Sequence, residues 1–177
     1  MDKLRILGID PGIAIVGVGV VDKIHNAYKP IYYDAVTTPA HTPLERRIMD
    51  IYNRINEIIT EYKPDAVSVE ELFFNNNAKT AFAVGQARGV IVLAAVQSGL
   101  PIYEYTPLQV KQALTGYGRA DKRQIQQMMK LMLGLNEVPK PDDVADALAI
   151  AVCHGNSSRF NQQTTALENL INRGGLK

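Results

Sequence analysis

Four acidic side chains stand where a fold could gather them into one site. Asp10 ends the apolar run Ile6–Ile9, and Pro11-Gly12 reverses the chain before a second apolar run begins at Ile13. Glu70 follows the short apolar run Ala66–Val69. Asp143 and Asp146 are three apart in a helical pattern, hence about 60° apart around its axis and on one face. Carboxylates within a few ångströms raise one another's pKa unless a cation offsets their charge. An all-oxygen set favours hard Mg²⁺ or Mn²⁺, and no Cys/His pattern with zinc spacing occurs. Two such ions about 4 Å apart can clamp a phosphodiester, one activating water and the other stabilising the leaving oxygen. Taken singly, these residues have simpler roles. Asp10 could cap its turn by accepting backbone N–H bonds, and Asp142, Asp143 and Asp146 carry the charge a helix favours in its first turn. Spacing leaves Asp142 as plausible a ligand as Asp143.

Convergence depends on the elements between them. Leu4–Ile9, Ile13–Val21 and Pro30–Thr37 read as three strands of an antiparallel meander. Thr42-Pro43-Leu44-Glu45 has the pattern of a capping box, and the apolar spacing after it predicts an amphipathic helix ending near Tyr62. Ala66–Val69 is a fourth strand, and Leu72 to Asn77 has no period and reads as a loop. Ala78–Ser98 is helical and rich in small residues, which suits packing on the chain's own sheet or against a second copy. Ile102–Tyr105 is a fifth strand. Thr106-Pro107 starts a helix through Leu114, Asp121 caps another ending at Leu133, and Lys140-Pro141-Asp142 opens the last strong helix. The layout is α/β, a mixed five-stranded sheet flanked by helices. If strand four lies parallel beside strand one through a right-handed crossover, Asp10 and Glu70 share a sheet edge. The first turn of the last helix could complete the cluster.

Composition sets the frame. The 177 residues, 46% hydrophobic and 21% charged, suit one domain over residues 1–155, with 156–177 a polar, loosely held tail. The only cysteine, Cys153, excludes an intrachain disulfide. The longest purely apolar run, Val90–Val96, is far short of the roughly 20 residues of a membrane span, and the N-terminus lacks signal-peptide features. A cytoplasmic protein without membrane partners is expected. The net charge of +1 is unevenly spread: residues 1–74 are net −3, 75–130 net +5 and 131–177 net −1. The middle third is the candidate anion-binding surface. His154 reads as a helix C-terminal residue, and His25 and His41 sit in loops.

GIDPG with its following strand, VEELFF, the GQARG of Gly85 to Gly89, YTPLQVKQALTGYGRADK and DDVADALAIAVCH together resemble the RuvC family of Holliday-junction resolvases. The resemblance runs from about Leu4 to His154, in order. It implies a ribonuclease-H-like fold and a homodimeric endonuclease. Such an enzyme nicks opposed strands of four-way DNA junctions in recombination and repair, using two Mg²⁺ per site, with Mn²⁺ able to substitute. It also implies cooperation with a branch-migration motor of the RuvA and RuvB type. The family's acidic residues fall on Asp10, Glu70, Asp143 and Asp146, which prefers Asp143 over Asp142. Some similar proteins carry histidine at the place of Asp143.

The resemblance also implies how DNA is held. Phe73 would enter the junction centre, where stacking on an unpaired base is worth about 1–3 kcal/mol. Phe74 is left as core, and Asn76 in the same loop joins the DNA contacts. Lys111 and Lys122 match lysines near the scissile strand, and Arg119 and Arg123 flank them; for each arginine alone a solvated basic face reads equally well. Lys122 would also stabilise transition-state charge. A glycine-Asp-x-Gly hairpin occurs in actin-like sugar kinases too, but those need two lobes and a second such motif. A non-catalytic junction binder would not need all four acidic positions filled, and a nuclease for RNA hybrids is the nearest competitor.

Overall fold

The computed structural model describes residues 3–71 and 78–173. Three strands form the meander: β1 (Lys3–Asp10), β2 (Ile15–Ile24) and β3 (Ala27–Thr37). Helix α1 (Leu44–Tyr62) leads to β4 (Ala66–Glu70), α2 (Ala78–Gln97) to β5 (Ile102–Tyr105), and α3 (Pro107–Thr115), α4 (Lys122–Met132) and α5 (Asp142–Arg173) complete the chain. The sheet order is β3-β2-β1-β4-β5, with the meander antiparallel and both β1–β4 and β4–β5 parallel. This is the mixed five-stranded α/β sheet that the sequence predicts.

Alternation along β1 divides the molecule into three layers. Leu7 and Ile9 face α1 and α2, in a core with Val16, Val18, Ile55 and Ile91. Ile6 faces the other way, toward α3, α4 and α5, with Val110, Met129 and Leu148. Gly8 and Asp10 share that second face by parity. The capping predictions hold at two helices: Thr106 accepts from the Gln109 N–H, Asp121 accepts from the Gln124 N–H, and both glutamines return the bond. At α1 the prediction fails. Pro43 takes the cap position and no side chain caps the helix, so its N-terminus rests on backbone bonds to Pro43.

One further expectation is corrected. Strand β2 begins at Ile15 rather than Ile13, because residues 11–14 form an open connection: the Ile13 carbonyl accepts from the Thr38 hydroxyl and the Arg47 guanidinium, and the Ala14 carbonyl from the Thr38 N–H. Helix α5 runs on through the polar stretch after Gly155 to Arg173. A single glycine costs a helix only about 1 kcal/mol, and no proline follows to stop it. The small residue at 155 has a packing reason, since a Cβ there would collide with the Tyr28 ring.

Candidate active site

Parallel pairing of β1 with β4 sets Ile9 beside Val69 and brings Asp10 and Glu70 to the same edge of the sheet. The connection after Asp10 is braced from α1, where Arg47 Nε donates to the Thr38 hydroxyl at 2.8 Å. Helix α5 supplies the other carboxylates by crossing β1 and β2 closely. A Cβ at Gly17 would collide with the Asp143 carbonyl oxygen, and one at Gly8 with the Ala147 carbonyl oxygen. Gly17 is the register partner of Asp10. The glycines therefore seat the first turns of α5 against the strand pair that carries Asp10. The sequence reading missed this role. The signal was the alternating Gly17 and Gly19 on one face of a strand, which marks the approach of another backbone.

The electrostatics follow from that placement. Asp10 is pushed up to about 8, first by burial and then by the negative charges of Glu70, Asp146 and Asp143. Burial and the neighbouring negative charges favour the protonated form of its carboxyl, and Glu70 is the group it pairs with. Glu70 is raised by burial and by Asp146, with the Asp10 hydrogen bond and Lys122 opposing. Asp146 is raised by burial, against which Lys122 acts. Burial lowers Lys122, but the pull of Asp146 and then Asp142 outweighs it, and the ammonium is raised overall. Its Nζ lies 3.2 Å from Asp146 Oδ2 and 3.4 Å from Asp142 Oδ2.

All four predicted carboxylates thus act on one another at one edge. Among the described residues, however, no three acidic, histidine or cysteine side chains converge closely enough to enclose an ion as they stand. Asp146 is engaged by Lys122, and Asp10 by Glu70. The donor set nevertheless fits a hard divalent cation: its oxygens repel one another, and a cation is what would relieve the burial and repulsion that raise the pKa of Asp10. Beside them opens a cavity of about 200 Å³ walled by Glu70, Asp146, Lys111 and Lys122 and floored by Val110 and Ile125.

Other predicted residues are placed differently. Lys111 and Lys122 come together at this cavity. Arg123 lines a separate groove with Tyr117 and Gln127, between α3 and α4, and Arg119 is exposed in the connection between those helices. Phe73, Phe74 and Asn76 lie outside the described residues. His154 is corrected: α5 does not end there, so the imidazole is buried mid-helix, stacked on Tyr103 with centroids 4.1 Å apart and paired through Nδ1 with the Tyr105 hydroxyl at 2.8 Å. Burial lowers it to about 4, which leaves it neutral.

The protein family described as crossover junction endodeoxyribonuclease RuvC matches residues 6–154. This chain belongs to the RuvC family. A RuvC of Desulfitobacterium hafniense is 58% identical over 172 residues, covering 97% of this chain and 98% of that protein. The solved structure of Thermus thermophilus RuvC superposes with a TM-score of 0.82 at 40% identity, covering 89% of this chain and 97% of that one. T. thermophilus RuvC has also been solved in complex with a Holliday junction substrate, and matches with a TM-score of 0.81 at 38% identity over 89% and 96% of the two chains. RuvC membership accounts for the ribonuclease-H-like arrangement of the sheet.

Proposed function

We propose that this chain is a metal-dependent Holliday-junction resolvase that cuts four-way DNA by paired, symmetric nicks. The observation that carries the reading is the sheet edge where burial, and then the charges of Glu70, Asp146 and Asp143, raise the pKa of Asp10, with Lys111 and Lys122 at the adjoining cavity. Asp10, Glu70, Asp143 and Asp146 would hold two Mg²⁺, for which Mn²⁺ could substitute. Bound there, the ions supply activation of water and neutralisation of charge on the leaving oxygen. The chain's own residues do the rest. Lys111 and Lys122 place positive charge where phosphates must approach an acidic site that would otherwise repel them. Lys122, close enough to reach Asp146, adds charge stabilisation in the transition state. Phe73 would stack on a base at the junction centre, with Asn76, Arg119 and Arg123 contacting the flanking DNA.

A homodimer is supported by α2. Its inner side packs Ala87, Ile91, Ala94 and Ala95 into the core, while Phe82, Leu93 and Val96 are exposed on one stripe with Gly85 and Gly89, whose Cβ positions meet nothing within 4 Å. Small residues thus serve both of the packings that the sequence leaves open. Two sites in a dimer suit two opposed strands. Residues 1–155 form the nuclease domain and the work is cytoplasmic, with a RuvA and RuvB type motor as partner. Among the described residues no helix is long and apolar enough to cross a membrane.

Incubation with Mg²⁺ and a labelled four-way junction, a linear duplex or an RNA–DNA hybrid tests the proposal. Symmetric nicks confined to the junction are expected. Cleavage of the hybrid alone would replace this reading with that of a hybrid-specific nuclease.

A further inference from the structure

Lys122 occupies the first helical position of α4, where a cation opposes the helix dipole. The helix itself gives no reason for a lysine there. Its ammonium lies between two carboxylates of α5, 3.2 Å from Asp146 Oδ2 and 3.4 Å from Asp142 Oδ2. Asp142 and Asp146 are four apart on α5, hence on one face, which lets a single ammonium reach both. The two arms differ in their surroundings. Asp146 walls the cavity with Glu70 and Lys111, and its side chain is 30% exposed. Asp142 takes no part in that wall, and its side chain is 57% exposed.

We propose that Asp142 is a positioning residue that keeps Lys122 beside the site when Asp146 turns from the lysine to a divalent cation. The inference rests on the metal-binding reading above. With both carboxylates present, Lys122 can release Asp146 and retain an ionic partner. Without Asp142, the ammonium has only Asp146 of the two and competes with the incoming cation for the same oxygen. Asp142 thus acts through Lys122. Its own charge, more than half exposed, is screened by water and salt before it reaches the cavity. This separates Asp142 from its neighbour Asp143, whose backbone seats against Gly17 beside Asp10.

The test is Mn²⁺ binding to the full-length, DNA-free protein, read from loss of the free-ion electron paramagnetic resonance signal at about 0.1 M salt. Asp142→Asn should raise the Kd about three- to fivefold, the range open to an exposed ion pair. Lys122→Ala should lower the Kd, and adding Asp142→Asn to it should change the Kd by less than about 1.5-fold, because the group through which Asp142 acts is gone. Asp142→Glu should restore binding close to that of the wild type. Equal weakening by Asp142→Asn in both backgrounds would make Asp142 a ligand or a bulk charge and overturn the proposal. So would wild-type affinity in Asp142→Asn alone. Absence of Mn²⁺ uptake by the unsubstituted protein would overturn the metal-binding reading together with this one, whereas uptake that ignores Asp142 overturns only this one.

Discussion

Two pairs of carboxylates meet at the sheet edge, and they are held by opposite means. Asp10 and Glu70 end neighbouring parallel strands, so the ladder that pairs Ile9 with Val69 fixes both. Burial raises both, helped at Asp10 by the charges of Glu70, Asp146 and Asp143 and at Glu70 by that of Asp146, while pairing with Asp10 draws Glu70 down. Asp143 and Asp146 arrive on a helix whose seat depends on Gly8 and Gly17, and Asp146 is already partnered by Lys122. The strand pair is therefore a fixed anionic anchor, and the helix pair an adjustable, lysine-compensated one. Loss of an anchor group should remove the chemistry; changes on the helix should grade it.

The largest effect expected is on junction cleavage. Asp10→Asn should reduce Mg²⁺-dependent nicking by about 10³-fold or more while junction binding, measured by gel shift, is largely kept, because the anchor's charge acts on the reaction and not on the DNA backbone. Asp146→Asn should follow. Asp143→His should cost less than either, since an imidazole can still present a lone pair to a cation. A larger loss for Asp143→His than for Asp146→Asn would invert the assignment of the helix pair.

The helix pair can also be broken without touching a carboxylate. Gly17→Ala puts a Cβ into the Asp143 carbonyl, an obstacle that cannot rotate away, so α5 must lift. A destabilisation of about 1–3 kcal/mol in thermal unfolding is expected. A cleavage loss of about 10²-fold should persist at temperatures where the protein is folded, since a misplacement of about 1 Å costs this much. Gly19→Ala meets mainly the Leu148 side chain, which can shift, and should be milder on both counts. Equal losses at Gly17 and Gly19 would show that the seat of Asp143 is not what the glycines protect.

What could be read from the sequence divides along the same line. The strand pair was legible because apolar runs ending in Asp10 and Glu70 are local signals, and a right-handed crossover is the usual way to join such strands. The helix pair was not. Spacing alone left Asp142 level with Asp143, and the difference is tertiary: one packs its backbone on Gly17, the other reaches Lys122. His154 was misplaced for the same reason, as its partners Tyr103 and Tyr105 lie on a strand about fifty residues earlier. The start of α1 erred locally. The Thr-Pro pattern that caps α3 at Thr106 recurs at Thr42 without its bond, because at α1 the proline itself takes the cap position.

The smallest effect sharpens the comparison thermodynamically. In chelator-treated protein, Asp10 moves from an ordinary value near 3.8 to about 8 on folding. Between those values the folded chain holds a proton that the unfolded chain has released, so this group's contribution to stability is fully present below about pH 4 and is lost as the pH rises through about 8. The melting temperature should therefore fall between pH 5 and pH 8. Asp10→Asn, neutral throughout, should remove most of that fall, and Mg²⁺ added to the wild type at pH 8 should reverse it by neutralising the same repulsion. Asp146→Asn should flatten the profile less, because burial raises Asp146 while Lys122 holds it down. If the two variants flattened the profile equally by differential scanning calorimetry, the lysine would not be compensating the helix pair, and the distinction between anchor and adjustable arm would fail.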